Sequence, residues 1–222
     1  MSADEFFQYI PFCSTSIVQD KLKEKGLGHI VPDTYDEKFK DLYGRRIQKT
    51  KYKDLDKVKF PYFIKSAGNN KLIDGTVVND KNELDEIWVC NPGPPRGLWA
   101  VNDIKPWDDM ELYTSDIVKF EAEYRLLVGN KHVYGCGFQR GNNDQSPSDL
   151  IVDKILQIAG EQFLCVDVGY DGSQWIIVEI NPPFSLDDFG ISLSDYIQYA
   201  TDFWTKLEAN MLILYCEDKP VN

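Results

Sequence analysis

Apolar and polar positions alternate over short stretches of the chain, and this pattern predicts antiparallel hairpins with few helices between them. Each predicted hairpin joins two short apolar runs across a segment rich in turn-forming residues. The strongest turn signal is Gly129-Asn130, and Asp171-Gly172 is another. The predicted strand pairs are 60–65 with 71–78, 120–128 with 131–138, and 163–168 with 174–180.

Three stretches have the longer hydrophobic period of helices: 14–25, 148–159 and 192–214. Gly26 follows the first stretch as a helix stop. Hairpins separated by few helices indicate an α+β fold built on antiparallel sheets, and they argue against a doubly wound parallel sheet. The proline-rich stretch 91–107 is predicted to be an ordered loop at a boundary between lobes.

The run 175–183 ends a predicted buried strand with Glu179, Ile180 and Asn181. Glu179 and Asn181 lie two residues apart, so a strand presents both side chains on one face. Carboxylate and amide oxygens are hard ligands of the kind that Mg²⁺ takes while it holds substrate phosphates. The alternative is a plain strand end, with Glu179 solvated and Asn181 opening a turn before Pro182.

Composition narrows the classes of function. The chain is 43% hydrophobic and 27% charged, as in ordinary globular proteins, and its net charge of −12 argues against nonspecific nucleic-acid binding. Because it has no apolar run of about 18 residues and no signal-peptide pattern, we expect no membrane span and a cytoplasmic location. Five scattered cysteines without a C-x-x-C pair argue against a disulfide framework and against structural zinc.

Charge is unevenly distributed along the sequence. The segment from Arg45 to Lys71 holds nine Lys or Arg and two acids, whereas the remainder after Lys71 is acidic. Such a segment fits a polyanion such as a nucleotide triphosphate, and it equally fits a solvated face. The sequence contains neither a G-x-G-x-x-G after a strand nor a G-x-x-x-x-G-K-[ST] loop. Lysine side chains and a hairpin loop would therefore have to hold any nucleotide.

Five segments in this order resemble the ATP-grasp superfamily, most of all a compact branch common in phages and large viruses that is marked by one arginine and two lysines. The segments are Phe-Ile-Lys-Ser at 63–66, Lys-Leu-Ile-Asp-Gly-Thr-Val at 71–77, Glu-Tyr-Arg-Leu-Leu-Val at 123–128, Val-Asp-Val-Gly at 166–169 and Val-Glu-Ile-Asn at 178–181. The resemblance covers roughly 58–185 and implies two lobes that clamp ATP between antiparallel sheets. It implies a reduced N-terminal region at 1–57, a first lobe at 58–110, and a second lobe with C-terminal helices at 111–222. A viral protein of this branch would act in the host cytoplasm.

The resemblance also implies roles for individual residues. Lys65 and Lys71 would contact phosphates, although Lys65 could be an ordinary strand-end lysine. Arg125 would reach phosphate and Glu123 a ribose hydroxyl, unless the two form a surface pair of little worth. Arg140 would stabilise an acyl phosphate, with His132 as the other nearby candidate and a plain loop position as the alternative. A connector would hold adenine against its backbone; its residues are Glu111, Leu112, Tyr113 and Thr114.

In ATP-grasp enzymes the implied reaction transfers the γ-phosphoryl group of ATP to a carboxylate. An amine or thiol then attacks the acyl phosphate, and ADP and phosphate leave. Here Asp167, Glu179 and Asn181 would hold one or two Mg²⁺ ions. The carboxylate and amine partners are undefined, and a peptide or protein terminus is among the options. Two alternatives stay open: a non-catalytic ATP-binding module and a covalent nucleotidyltransferase. The second is suggested by Lys71-Leu-Ile-Asp74-Gly75, which resembles the K-x-D-G motif of those enzymes but has two residues, not one, between the lysine and the aspartate.

The metal set makes a prediction about strand parity. A two-residue turn at Asp171-Gly172 would pair Asp167 with Ile176 and place it on the sheet face opposite Glu179. A loop of three or five residues would align Asp167 with Ile177 instead. We therefore predict an odd-length loop, with Asp167, Glu179 and Asn181 facing the cleft that holds Lys65 and Arg125.

Overall fold

The structure is a computed structural model that describes residues 15–67, 72–87, 106–185, 187 and 189–217. The helices are α1 (Thr15–Glu24), α2 (Lys81–Asp85), α3 (Asp149–Ala159) and α4 (Leu193–Glu217), with 3₁₀ turns at Gly28–Ile30, Glu37–Leu42 and Tyr52–Lys57. The strands are β1 (Ile47–Lys51), β2 (Tyr62–Ser66), β3 (Thr76–Val78), β4 (Glu111–Ser115), β5 (Ala122–Gly129), β6 (His132–Gly141), β7 (Leu164–Tyr170) and β8 (Trp175–Asn181). Within these described ranges, no helix is both long and apolar enough to cross a membrane.

The chain divides into two compact units, and the predicted α+β class is confirmed. The larger unit comprises Met1–Pro32, Asp36–Leu42 and Phe120–Asn222, and the smaller comprises Asp33–Tyr35 and Tyr43–Lys119. These boundaries differ from the predicted lobes at 58–110 and 111–222. The reason is strand pairing, because β1 and β4, which lie outside the predicted first lobe, complete the sheet of the smaller unit.

The smaller unit is a four-stranded antiparallel sheet in the order β1-β4-β2-β3. The predicted pairing of β2 with β3 is confirmed, with Tyr62 opposite Val78, but β3 covers only the last three residues of the predicted strand 71–78. Strand β4 lies between β1 and β2, although residues 111–114 were predicted to form a connector. Its central position follows from burial, since Leu112 is fully buried and packs in one apolar cluster with Ile64 and Leu55.

The larger unit is a second antiparallel sheet in the order β6-β5-β7-β8. All eight residues of β5 are buried, so both faces of this strand are covered. Leu127 and Cys165 pack with α4 through Tyr199 and Phe203, which places α4 on the sheet face that also carries the odd-numbered residues of β7. The predicted β5–β6 hairpin is confirmed.

The turn of that hairpin is centred one residue later than predicted. Asn130 and Lys131 have φ values of 49° and 60°, and two positive φ angles are what a type I′ turn requires.

The β7–β8 hairpin does not have the predicted odd-length loop. Tyr170 pairs with Trp175, so the loop has four residues, and the Asp171 side chain accepts hydrogen bonds from the backbone N–H groups of Ser173 and Gln174. A bulge then shifts the register, because Val168 pairs with Ile177 but Asp167 pairs with Glu179. Val178 is the extra residue. The bulge, rather than the loop, brings Asp167 and Glu179 to one face.

Candidate active site

Three adjacent strands of the larger sheet place polar side chains in one row. Arg125 on β5 lies directly opposite Asp167 on β7, which lies directly opposite Glu179 on β8. Asn181 follows two residues after Glu179, on the same face. Arg125 and Asp167 are each only 4% exposed and Asn181 is 9% exposed. Polar groups buried this deeply must find partners within the protein.

Asp167 is the centre of this row. Arg125 binds its carboxylate with two hydrogen bonds, from Nε to Oδ1 at 2.7 Å and from Nη2 to Oδ2 at 2.8 Å. Gln139 Nε2 donates to Oδ1 at 2.7 Å, and Asn181 Nδ2 donates to Oδ2 at 2.9 Å. Because a carboxylate offers about four lone-pair sites, these four donors saturate Asp167.

Burial and charge act in opposite directions on this pair. Burial raises the pKa of Asp167 to about 6, the Arg125 guanidinium opposes that rise, and the nearby Glu179 and Glu123 carboxylates add to it. Burial lowers the pKa of Arg125, but the hydrogen bonds and the charge of Asp167 outweigh it, so the net shift is upward. At neutral pH the pair is therefore ionic.

The Arg125 guanidinium is enclosed by the segment that follows β8. Nη1 donates to Ser185 Oγ at 3.2 Å and to the Asp187 carbonyl at 3.4 Å, and the Phe189 ring centroid lies 4.6 Å from the guanidinium carbon. Phe189 has a φ of 48°, an uncommon conformation for a bulky residue. Arg125 was predicted to contact phosphate, but in this structure four of its five N–H groups donate to protein acceptors.

A second bulge, on β6, places two consecutive residues at the site. Tyr124 pairs with Phe138 but Glu123 pairs with Arg140, so Gln139 is the extra residue. Arg140 Nη2 donates to Glu123 Oε1 at 2.6 Å, and the Glu123 side chain is 6% exposed whereas that of Arg140 is 73% exposed. The structure therefore brings Glu123 and Arg140 together beside the Asp167 cluster.

Glu179 and Asn181 have the oxygen ligands that a Mg²⁺ site needs. Asn181 Nδ2 donates to Glu179 Oε1 at 3.0 Å as well as to Asp167. Because both acceptors are carboxylates, the Asn181 Nδ2 must face them, and its Oδ1 faces away. The Glu179 carboxylate and this amide oxygen are both the type of ligand that a hard cation takes. Among the described residues, no three His, Cys, Asp or Glu side chains are grouped closely enough to hold a metal ion.

In the smaller unit, Lys65 lies on β2 directly opposite Tyr113 on β4. Its Nζ is 5.7 Å from the centroid of the Tyr35 ring, and the guanidinium carbon of Arg45 is 5.6 Å from the same centroid. The Tyr113 hydroxyl donates to Asp33 at 2.6 Å. Both cations thus lie within cation–π distance of one aromatic ring. The second predicted phosphate lysine, Lys71, lies outside the described residues.

Comparison with known proteins agrees with this architecture. A family model that describes an ATP-grasp domain, family 2 of the R-2K clade, matches residues 42–199, which include every site residue described above except Asp33 and Tyr35. The chain belongs to this ATP-grasp family. No curated protein matches the chain.

Two solved structures share the ATP-grasp fold. The RimK domain ATP-grasp protein from Sphaerobacter thermophilus is 13% identical with a TM-score of 0.51; the match covers 73% of this chain and 62% of that protein. D-alanine–D-alanine ligase from Bacillus anthracis is 14% identical with a TM-score of 0.50, and the match covers 87% of this chain and 76% of the ligase. This chain therefore spans less than two thirds of the RimK domain protein.

The predicted adenine connector has a different structure in this ATP-grasp domain. Residues 112–114 pair with β1 on one side and β2 on the other. A strand with two neighbours uses its backbone groups in the ladders, so this backbone cannot also hold an adenine ring. The side chains of Leu112, Tyr113 and Thr114 are buried, and only Glu111 is exposed.

The basic segment is largely neutralised within the smaller unit. Five of its cations form ion pairs with carboxylates at 2.6–3.3 Å, and most of these side chains are exposed. The pairs are Arg46–Asp116, Lys49–Glu111, Lys51–Asp109, Lys53–Asp109 and Lys57–Asp54. For these residues the structure supports a solvated face rather than a polyanion site.

Sequence reasoning missed Gln139 and included His132. Gln139 contacts Asp167 only because of the bulge on β6, and nothing in the sequence indicates that bulge. His132 begins β6, eight residues from Arg140, and lies against Tyr134. At about 3.4 Å per residue, roughly 27 Å separates His132 from Arg140 along the strand, so the structure does not bring them together.

Proposed function

We propose that this protein is an ATP- and Mg²⁺-dependent ligase that phosphorylates a carboxylate and joins it to an amine or thiol, with release of ADP and phosphate. The observation that carries the proposal is the row of Arg125, Asp167, Glu179 and Asn181 within an ATP-grasp domain, in which Glu179 is half-buried and the other three residues are buried. A protein retains so many buried charges at one place when they serve a function, since apolar residues would stabilise the sheet at least as well.

Glu179 and the Asn181 Oδ1 are the proposed cation ligands. A bound Mg²⁺ would supply positive charge that neutralises the phosphate oxygens during transfer. Asp167 is proposed to act on the cation indirectly, because its four hydrogen-bond donors leave no lone pair for direct coordination. It holds Arg125 and the Asn181 amide in fixed orientations. This differs from the predicted set, in which Asp167 was a ligand.

Four further residues have proposed roles toward ATP and the acyl phosphate. Lys65 and Lys71 bind phosphate oxygens as point charges. Glu123 accepts a hydrogen bond from a ribose hydroxyl, and the hydrogen bond that it accepts from Arg140 fixes the orientation of its carboxylate. Arg140, largely exposed at the end of β6, is the cation available to an acyl phosphate. The acceptors are a carboxylate and an amine, a peptide or protein terminus among them.

Turnover assays test this function. Protein, ATP and Mg²⁺ are incubated with a panel of carboxylates and amines, peptide termini included, and ADP release is measured with Glu179→Gln as the matched inactive control. We expect ADP release that requires one carboxylate and is lost in the control. ATP binding without ADP release across the panel would favour a binding module, and a stable lysine adenylate formed from α-labelled ATP would favour a nucleotidyltransferase.

A further inference from the structure

Gln139 occupies a position that a regular strand would not provide. It is the extra residue of the β6 bulge, between Phe138 opposite Tyr124 and Arg140 opposite Glu123. Bulges next to functional sites re-aim side chains, and this one directs the Gln139 amide at Asp167. The extra residue disrupts the β5–β6 hydrogen-bond ladder locally, so other interactions must offset this loss of stability.

The offsetting interaction is a pair of amide side chains, one bound to each oxygen of a single carboxylate. Gln139 Nε2 donates to Asp167 Oδ1, and Asn181 Nδ2 donates to Asp167 Oδ2. Gln139 lies on β6 and Asn181 on β8, the two edge strands that flank the central pair β5 and β7. Arg125 donates to the remaining lone pairs of the Asp167 carboxylate. We call the three residues Gln139, Asp167 and Asn181 the amide clamp. A carboxylate with every lone pair filled cannot rotate without breaking a buried hydrogen bond.

We propose that Gln139 is a positioning residue for the cation site. By completing the hydrogen bonds of Asp167 it fixes that carboxylate, which in turn fixes the Asn181 amide with Oδ1 directed away from the clamp. The cation part of this inference rests on the proposed function, whereas the clamp itself does not. Partners of this kind, one step removed from a metal, typically change metal affinity by about 10–100-fold when mutated.

Two substitutions separate shape from hydrogen bonding. Gln139→Met keeps the length of the side chain but has no donor, and Gln139→Glu keeps the shape but presents an acceptor to Asp167. Gln48→Met, at an exposed position of β1, is the matched control. We expect both Gln139 variants to weaken Mg²⁺-dependent ATP binding by at least about tenfold in calorimetry. The control should bind as the wild type does.

A double-mutant cycle tests the clamp without any ligand. Gln139→Met, Asn181→Ala and the double variant are unfolded in urea, without Mg²⁺ or ATP. Because both residues bind one carboxylate, we expect their effects on the unfolding equilibrium constant to depart from additivity by about tenfold. Additive effects would overturn the clamp. Coupling in the cycle together with unchanged Mg²⁺-dependent binding would overturn the positioning role.

Failure of the proposed function gives a different result. If the wild type binds no Mg·ATP, the proposed function is wrong and the positioning role falls with it. The cycle then still decides whether Gln139 and Asn181 act together through Asp167.

Discussion

Replacement of Asp167 by asparagine is the sharpest probe of the buried row. The change keeps the side-chain shape and removes one negative charge. The Arg125 and Asp167 side chains are each 5% exposed, so water can neither screen the pair nor replace the lost partner. Arg125 would be left as a buried cation without a counter-ion.

The structure sets the size of the effect. An asparagine at 167 must turn its NH₂ either toward the donors at Oδ1, from Arg125 and Gln139, or toward those at Oδ2, from Arg125 and Asn181. Two donors therefore lose their acceptor in either orientation. Each buried donor left unsatisfied costs about 1–3 kcal/mol. Removal of one partner of a buried ion pair costs about 3–5 kcal/mol, and we predict a loss of this size in the free energy of unfolding.

Urea denaturation without Mg²⁺ or ATP measures this loss by linear extrapolation. Arg125→Met combined with Asp167→Leu is the control, since removal of both charges should be less damaging than Asp167→Asn alone. A loss below about 1 kcal/mol for Asp167→Asn would refute the reasoning, because a carboxylate kept only as a metal ligand would not stabilise the metal-free protein.

Three further outcomes follow from the same contacts. Lys65→Ala should weaken Mg·ATP binding in calorimetry by at least about tenfold without lowering the urea midpoint. The control Lys57→Ala, which breaks an exposed ion pair, should change neither quantity. A Lys65 variant that melts early but binds normally would make this lysine structural. Arg125→Lys should reduce ADP release nearly as much as Arg125→Ala, because an ammonium cannot copy a two-bond guanidinium contact, and near-full activity would contradict this. Asn181→Asp should place a third carboxylate beside those of Asp167 and Glu179, which the amide bridges, and should lower the unfolding free energy by on the order of 2 kcal/mol. Mg²⁺ should raise the melting temperature of this variant more than that of the wild type. An equal rise would argue against the cation site.

Local sequence signals were sufficient for most of the larger unit. The turn at Asn130 and the strand that ends in Glu179 and Asn181 are encoded by neighbouring residues, so the hairpins could be predicted. The smaller unit was harder. Residues 47–51 are mostly polar, and 111–115 pair with strands far away in sequence, so β1 and β4 depend on contacts that no local pattern records.

Bulges limited what strand parity could predict about the site. The prediction that Asp167 and Glu179 share a face was right, but it rested on an odd-length loop, whereas the structure uses a four-residue loop and an extra residue at Val178. A bulge adds one residue without a sequence signature, and one residue reverses the face of everything beyond it. The same effect on β6 concealed Gln139.

The Mg²⁺ dependence of ATP binding tests the central claim most directly. ATP is titrated into the wild type and into Glu179→Gln by calorimetry, once with Mg²⁺ and once with a chelator. Two ligands whose binding is coupled typically change each other's affinity by about 5–150-fold, and the Glu179 carboxylate repels a bare triphosphate. We predict at least about tenfold tighter binding with Mg²⁺ in the wild type and a much smaller difference in Glu179→Gln. Equal affinity with and without Mg²⁺ in the wild type would contradict the account.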